Sequence, residues 1–564
     1  MRSCVAAAFL MCVGMVGRGA GAEGAPTAPG APADAIRAWQ DLRFGMFIHW
    51  GPVSLTGHEI GWSRGRETPI EEYDALYKRF NPTDFVAADW VAAANAAGMR
   101  YVVFTTKHHD GFCMWDTKQT DYNIMRSAFG RDVVKELAAA CRDGGIRFGT
   151  YYSTCDWWHK DFPLGSPGGK SKKEGADLDA YVRYLRSQVT ELVKGYGPLV
   201  TLWFDVPQLV GPEHGIETIR MLRALQPDLV INNRAYSRGS GPPVGDYETP
   251  EQRIGTFNSE RPWETCMTIC HQWAWKPEDK MKTLEECLHA LVRTVGGDGN
   301  FLFNVGPMPD GRIEPRQVDR LKEMGDWVKP RGASLYATRG GPFKPGPWGA
   351  STRQGNRIFL HVLKWPESGD LLLPALPLAV KSASLSGAPG GGPVVVKAGS
   401  DGLRVAVPEG QRDPIDTVIA LEMDGDAMGI APIPTTEPSL SQGAKARASG
   451  IYKQDWHFRA ESAVDGDENT RWATDAGTKS AWLEIDLESE KEFSRARILE
   501  WKGDPGRIRA FEIRVPEGSG WKTVARGDSC AKELRFDAVR AKKVRLAILD
   551  AKDGPTICEF EVLK

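Results

Sequence analysis

The feature that most constrains this chain is an alternation of β-like runs with helical stretches over residues 36–336. The runs are mostly apolar, which is typical of parallel strands that are covered on both faces. They are residues 44–48, 101–105, 147–152, 199–204, 229–232 and 301–305. This alternation predicts an α/β domain around a parallel sheet, either a barrel or a doubly wound sheet.

The helical stretches between the runs help to choose between these two folds. They are residues 85–97, 133–141, 178–194, 216–225, 284–295 and 315–328. The first follows Thr83 and stops at Gly98, two residues that favour helix ends. The glycine-rich segment 296–300 precedes a run, whereas dinucleotide-binding folds place such glycines after a strand. We therefore expect a (β/α)8-like barrel over residues 35–338.

Two all-β units follow the predicted barrel, as expected of a chain of 564 residues. Short β-like runs separated by Gly and Pro turns predict a small β-sandwich over residues 339–430. Residues 431–443 are rich in Pro, Thr and Ser and are predicted to be a linker. Residues 444–564 again carry short strands, which predicts a second β-sandwich.

The amino terminus has the three parts of a secretory signal peptide. Arg2 precedes the apolar stretch 5–16, and Ala20-Gly21-Ala22 supplies a cleavage site. We therefore predict a signal peptide over residues 1–22, a linker over residues 23–34, and a secreted or periplasmic protein.

Charge and cysteine usage exclude several functions. The net charge is −2 and the sequence pI is about 6.6, so we expect neither a nucleic acid nor a membrane as partner. The 10 cysteines are scattered without a C-x-x-C pair, which favours neither a disulfide scaffold nor a zinc site. The oligomeric state is not indicated.

Polar residues follow five successive runs, at the points where the predicted strands end. They are His49 and Trp50, residues 107–110, the trio Tyr151, Tyr152 and Asp156, then Asp205, and finally residues 232–234. The carboxyl ends of barrel strands meet at one face, where barrel enzymes carry their active sites. This recurrence predicts a polar site at that face.

Asp205 is the most informative of these residues. It ends an apolar run directly after Trp203 and Phe204, where a carboxylate loses hydration unless it is hydrogen-bonded or functional. The alternative is a helix N-cap, although the following Val206-Pro207 is a poor helix start. We interpret Asp205 as a catalytic carboxylate.

Cleavage of a glycoside with retention needs a second carboxyl group about 5 Å from the first. Candidates are Glu264, Glu251, Glu248 and Glu59. Glu264 follows Trp263, whose apolar face would raise the pKa of a proton donor. Glu251 is the rival, and either residue could be an ordinary surface carboxylate.

Residues His108-His109-Asp110 also suit a metal site, but neighbouring strand residues point to opposite faces. We interpret the imidazoles as donors to sugar hydroxyls. A metal-dependent hydrolase remains the alternative enzyme class.

At these residues the sequence resembles the α-L-fucosidases of glycoside hydrolase family 29. The matching stretches are residues 44–51, 101–112, 202–205, 263–268 and 299–307, and the likeness runs from about Ala35 to Leu421. The resemblance implies a retaining exo-α-L-fucosidase that removes terminal α-L-fucose from glycans by double displacement. It implies no cofactor for catalysis.

The resemblance also implies roles for single residues. Asp205 matches the nucleophile position, Glu264 resembles the acid/base of one group of members, and Glu251 is the alternative acid/base. The implied fucose pocket consists of His49, Trp62, His108, His109, Tyr151, Trp203 and Arg234. Val206 stands where the family commonly has glycine, and residues 58–62 depart from the usual Glu-Trp-Tyr, so linkage and aglycone preference stay open.

The carboxyl-terminal unit resembles a discoidin-like (coagulation-factor type C) domain through residues 463–472 and 482–487. Such domains often act as carbohydrate-binding modules. The resemblance implies a structural Ca²⁺ with Asp467 and Thr470 as oxygen ligands, the alternative being a plain turn. A non-catalytic carbohydrate-binding protein is a further alternative function.

Overall fold

The structure is a computed structural model. It describes residues 28–564 except 168–170, 238–242, 368, 388–391, 438, 468–469, 502–504, 531–532 and the side chain of His457. The predicted signal peptide at residues 1–22 lies outside the described residues. Within the described ranges, no helix combines the length and the apolar character that crossing a membrane requires.

Seven parallel strands form the wall of the first domain. They are β1 (Phe44–Ile48), β2 (Tyr101–Lys107), β3 (Arg147–Ser153), β4 (Thr201–Asp205), β5 (Val230–Ile231), β6 (Glu264–Thr268) and β7 (Asn300–Val305), in the order β5-β4-β3-β2-β1-β7-β6. Parallel bridges from Asn232 to Tyr247 and from Glu248 to Trp263 connect β5 to β6. The predicted (β/α)8-like barrel is confirmed, with residues 247–248 in the place of a further strand.

Helices surround this wall. They are α1 (Ala33–Gln40), α2 (Ile70–Ala75), α3 (Ala87–Ala97), α4 (Val133–Asp143), α5 (Leu178–Tyr196), α6 (Pro212–Leu225), α7 (Leu284–Gly296) and α8 (Pro315–Val328). Helix α3 starts later than expected, because Val86 and not Thr83 precedes its first turn. It ends at Gly98, whose φ of 86° is in the left-handed region that favours glycine.

The barrel interior is filled by aromatic side chains that the strands point inward. Tyr101 lies opposite Gly45 in the β1–β2 register, and a Cβ on Gly45 would lie 2.5 Å from the Tyr101 ring. A glycine in β1 therefore makes room for the tyrosine. Tyr101 fills the amino end of the barrel.

The other two domains are antiparallel and have separate cores. The second pairs a five-stranded sheet with a three-stranded sheet. Its strands are β8 (Arg339–Gly340), β9 (Gly349–Gln354), β10 (Arg357–Val362), β11 (Leu371–Leu373), β12 (Val380–Leu385), β13 (Val395–Gly399), β14 (Gly402–Ala406) and β15 (Thr417–Met423).

The third domain contains β16 (Lys445–Ala448), β17 (Trp472–Ala473), β18 (Ala481–Glu500), β19 (Ile508–Glu517), β20 (Gly520–Gly527), β21 (Leu534–Ala551) and β22 (Thr556–Leu563). The predicted succession of a barrel and two β-sandwich units is confirmed.

Candidate active site

The carboxylate of Asp205 stands at the carboxyl end of β4, among three polar side chains. Arg234 Nη1 donates to Oδ1 at 2.8 Å, and the Tyr151 hydroxyl donates to Oδ2 at 2.8 Å. His109 Nε2 lies 3.8 Å from Oδ2. The side chain is only 14% exposed, so it does not face bulk solvent. It caps no helix either, because α6 begins at Pro212.

The charge on Asp205 is set by its neighbours. Burial raises the pKa of its carboxyl group, but the Arg234 guanidinium and the hydrogen bonds from Arg234 and Tyr151 outweigh this effect. The net pKa lies below the usual range, so Asp205 is ionised at neutral pH.

The backbone after Asp205 is strained. Val206 has φ 47°, a region that a β-branched residue seldom occupies. In this conformation its N–H donates to Asp205 Oδ1 at 2.9 Å, and the Thr154 hydroxyl donates to the carbonyls of both residues. The hydrogen bond from this strained residue helps to orient the Asp205 carboxylate, and strained backbone of this kind is common at functional sites.

Arg234 joins Asp205 to Glu251. The same Nη1 that donates to Asp205 donates to Glu251 Oε2 at 2.9 Å. Thr249 holds the other side of the guanidinium, accepting from Nε through its hydroxyl and from Nη2 through its carbonyl. The guanidinium also lies 4.8 Å from the centre of the Trp203 ring. The carboxylates of Asp205 and Glu251 are therefore both paired with Arg234. The Glu251 side chain is 42% exposed.

Glu264, the other predicted acid/base, lies elsewhere. It is the first residue of β6 and is completely buried at the amino end of the barrel. Its carboxyl group accepts hydrogen bonds from the Tyr101 hydroxyl and from Trp203 Nε1. Burial raises its pKa to about 8. The predicted contact with Trp263 is not the cause, because the Trp263 indole packs on Gly299 instead.

The two remaining carboxylate candidates hold the scaffold together. Glu248 accepts from Arg261 and from Asn233 where the barrel wall closes. Glu59 accepts three backbone N–H bonds, from Ile60, Trp273 and Ala274.

The three predicted histidines meet at the same face. His49 Nδ1 lies 2.6 Å from Asn304 Oδ1, and Asn304 donates its amide to the Trp273 carbonyl. Nδ1 of His49 is therefore the protonated nitrogen, which leaves Nε2 as an acceptor. Burial lowers the pKa of His49 to about 3 and that of His109 to about 4, and it lowers that of His108 as well. All three rings are neutral at physiological pH.

Aromatic rings line the rest of this face. Trp62 lies 5.1 Å from His109 and 5.5 Å from Trp157, and Tyr151 stacks on Trp203 at 5.6 Å. The neighbouring Asp110 accepts from Tyr73 and from the Phe112 N–H. In the part of the chain that the structure describes, no group of three or more metal-ligating side chains is found.

Several site residues were not predicted from the sequence. Thr249 orients Arg234, Asn304 orients His49, and Trp273 lies 4.8 Å from His49. Asn304 belongs to the matching stretch 299–307, and Trp273 belongs to a segment with two tryptophans. These two signals were available, whereas nothing local distinguishes Thr249.

The predicted calcium ligands have other partners. The carboxylate of Asp467 pairs with Arg253 of the barrel domain, and the Thr470 hydroxyl donates to Asp465. The Thr470 hydroxyl also lies 3.1 Å from the Asp467 carbonyl oxygen, and the calcium site stays a prediction.

Comparisons with known proteins find similarity to two families. The sequence model described as Alpha-L-fucosidase matches residues 23–333, and that of the F5/8 type C domain matches residues 445–562. Plasma alpha-L-fucosidase of Homo sapiens is 31% identical over 381 residues, which is 62% of this chain and 80% of that protein.

Two solved bacterial structures are also similar. Alpha-L-fucosidase isoenzyme 1 from Paenibacillus thiaminolyticus is 33% identical with a TM-score of 0.63, covering 69% of this chain and 99% of that chain. An alpha-L-fucosidase from Bacteroides thetaiotaomicron, a covalent intermediate trapped with 2-fluoro-fucosyl fluoride, is 27% identical with a TM-score of 0.63. The match covers 71% of this chain and 99% of that chain.

Proposed function

The chain belongs to the α-L-fucosidase family and carries a discoidin-like domain, and from this premise we propose that it is a retaining exo-enzyme. It removes terminal α-L-fucose from fucosylated glycans by double displacement. The observation that carries this proposal is the pair of carboxylates, Asp205 and Glu251, held on one nitrogen of Arg234.

Asp205 is the nucleophile in this proposal. Its depressed pKa keeps it ionised, and three donors orient it: Arg234, Tyr151 and the Val206 N–H. It attacks the anomeric carbon and forms a glycosyl-enzyme intermediate. The covalent intermediate named for the Bacteroides thetaiotaomicron relative supports the same course here.

Glu251 is the acid/base, in preference to Glu264. Bonds of 2.8 and 2.9 Å to one nitrogen keep an oxygen of Glu251 near an oxygen of Asp205. That separation is no more than about 6 Å, close to the ~5 Å of retaining glycosidases. Glu251 is exposed to an incoming substrate, whereas Glu264 has no exposed surface. Glu251 protonates the departing oxygen and then deprotonates the attacking water.

The neutral imidazoles of His49, His108 and His109 bind fucose hydroxyls without adding charge near Asp205. The rings of Trp203 and Trp62 supply apolar faces for the sugar. These roles use only side chains of the chain itself, so the proposed reaction requires no cofactor.

Two further proposals concern the surroundings of the enzyme. The sequence of residues 1–22 supports secretion or a periplasmic location. The discoidin-like domain supports binding of the same fucosylated glycans as partners.

The proposal is tested by trapping and by product stereochemistry. Incubation with 2-fluoro-fucosyl fluoride and peptide mapping by mass spectrometry is expected to locate the label on Asp205. In a separate NMR experiment, the first fucose released from an aryl α-L-fucoside is expected to be the α-anomer. A label on another residue contradicts the nucleophile assignment, and a β-anomer contradicts retention.

A further inference from the structure

The loop that carries Glu251 contacts a different domain. Arg253, two residues after Glu251, donates to the carboxylate of Asp467 in the discoidin-like domain. The Asp467 side chain is 9% exposed and that of Arg253 is 41% exposed. An ion pair with one nearly buried partner is screened less by salt than a pair in open solvent.

Asp467 is a fixed point of its own domain. Its N–H donates to Asp465 at 3.0 Å, and its carbonyl accepts from the Thr470 N–H at 3.0 Å. The N–H of Gly466 donates to Glu559 of β22 at 2.9 Å. The backbone of Asp467 is therefore held by the discoidin-like domain, and its carboxylate extends from this backbone to Arg253.

The barrel side of the contact is a short segment that lies along β6. Glu251 forms a parallel bridge with Cys266, and the Gln252 N–H donates to the Cys266 carbonyl at 2.9 Å. Gln252 has φ 54°, in the left-handed region that favours glycine. A non-glycine residue keeps such a conformation only when its surroundings determine it. The Gln252 side chain is bonded to Thr268, and the next residue, Arg253, is bonded to Asp467.

We propose that Arg253 and Asp467 are positioning residues, through which the discoidin-like domain holds Glu251 in the orientation needed to protonate the leaving group. This inference rests on the proposed acid/base role of Glu251. Its consequence is that the third domain belongs to the catalytic unit and does more than bind glycans. Arg253 follows Glu251 by two residues, so the pair is expected to act on the step in which Glu251 protonates the leaving group.

The test compares substrates that differ in their need for an acid. The fluoride ion of fucosyl fluoride departs without protonation, whereas cleavage of a fucosylated disaccharide needs a proton on the departing oxygen. In the full-length chain, Asp467→Asn and Arg253→Gln are each expected to lower kcat/KM on the disaccharide about fivefold. On fucosyl fluoride the change is expected to stay below about twofold. The charge-swapped double variant Arg253→Asp/Asp467→Arg is expected to recover most of the loss.

Three controls make the outcome decisive. Asp326→Asn breaks a remote exposed ion pair with Lys322 and is expected to change neither rate. Thermal unfolding of each variant shows whether its domains remain folded. Asp467→Asn is also combined with Glu251→Ala, and in that background its effect on the disaccharide is expected to disappear.

Equal losses on both substrates, no loss on either, or an undiminished loss in the Glu251→Ala background would overturn the positioning role. Failure of the acid/base proposal is separable, because it shows as a Glu251→Ala variant that slows both substrates alike or neither.

Discussion

The two ends of the barrel each bury a carboxyl group, and they treat it in opposite ways. At the carboxyl end, Asp205 is ionised because the Arg234 guanidinium and its hydrogen bond outweigh the effect of burial on its pKa. At the amino end, Glu264 has only neutral donors, Tyr101 and Trp203, and burial raises its pKa to about 8. Desolvation acts on both groups, and a cation is present beside only one.

The same barrel thus holds a carboxyl group that we propose for catalysis, Asp205, and a buried one that we expect to affect only stability, Glu264. A raised pKa and a neighbouring indole are typical of a catalytic proton donor, and Glu264 has both. It nevertheless lacks access, because Tyr101 and Trp203 enclose it. A perturbed pKa marks a functional carboxyl group only where a substrate reaches it.

The largest effect is expected from removing the charge at the carboxyl end. Asp205→Asn retains the size of the side chain but removes the nucleophile, so kcat is expected to fall on the order of 10³-fold or more on every fucoside. Steady-state assays and a thermal melt check this. A folded variant with near wild-type turnover would remove Asp205 from the mechanism.

Glu251→Ala is expected to have the next largest effect, and one that depends on the substrate. Loss of the proton donor slows cleavage of a fucosylated disaccharide by about 10²-fold or more, with a smaller change for fucosyl fluoride. Azide is expected to restore turnover of an activated fucoside and give a fucosyl azide. Rescue of Glu264→Ala and not of Glu251→Ala would return the acid/base role to Glu264.

Arg234→Met tests the cause of the contrast between the two ends. Without the guanidinium, burial dominates and the pKa of Asp205 rises, so the acidic limb of the kcat/KM profile moves to higher pH. The rate at the pH optimum is expected to fall by about 10-fold to 100-fold. A slower variant with an unmoved acidic limb would show that Arg234 does not set the charge of Asp205.

The smallest catalytic effect is expected at the amino end. In Glu264→Gln the amide oxygen still accepts from Trp203 Nε1 and the amide NH2 donates to the Tyr101 hydroxyl, so kcat/KM is expected to stay within about threefold of wild type. Stability is expected to change instead. The folded-state pKa of Glu264 is about 8, above the ordinary 4.5, so the wild-type protein loses stability as pH rises from 4.5 towards 8.

The glutamine cannot ionise and avoids this loss. The free energy of unfolding of Glu264→Gln, relative to that of the wild type, is therefore expected to grow by about 1 kcal/mol per pH unit between pH 5 and 8. Thermal melts at several pH values measure the trend, with Asp326→Asn as a matched control. A difference that is independent of pH would show that Glu264 does not titrate in this range.

Much of the fold was predictable because the barrel strands are apolar runs between helices. Strand β6 was missed, since its sequence Glu-Thr-Cys-Met-Thr is too polar to be distinguished from a loop. Residues 247–248 were missed because each forms only a single bridge. Both segments lie where the barrel closes, and closure is a long-range property that no local pattern records.

The site was predictable to a similar degree. Strand ends of a parallel barrel converge, so residues after separate runs, such as His49, His109 and Asp205, were expected at one face. The choice between Glu251 and Glu264 was not predictable, because both lie in the same stretch of sequence and both are near aromatic or proline residues.

The sequence by itself determined the family, the order of the domains and the polar face, since these follow from motifs and from the periodicity of buried strands. Only the tertiary structure decided which glutamate meets Arg234 and that Asp467 pairs with Arg253. Electrostatic contacts of this kind depend on distances of a few ångströms between residues that are far apart in the chain, and these distances are fixed only when the barrel closes and the domains pack.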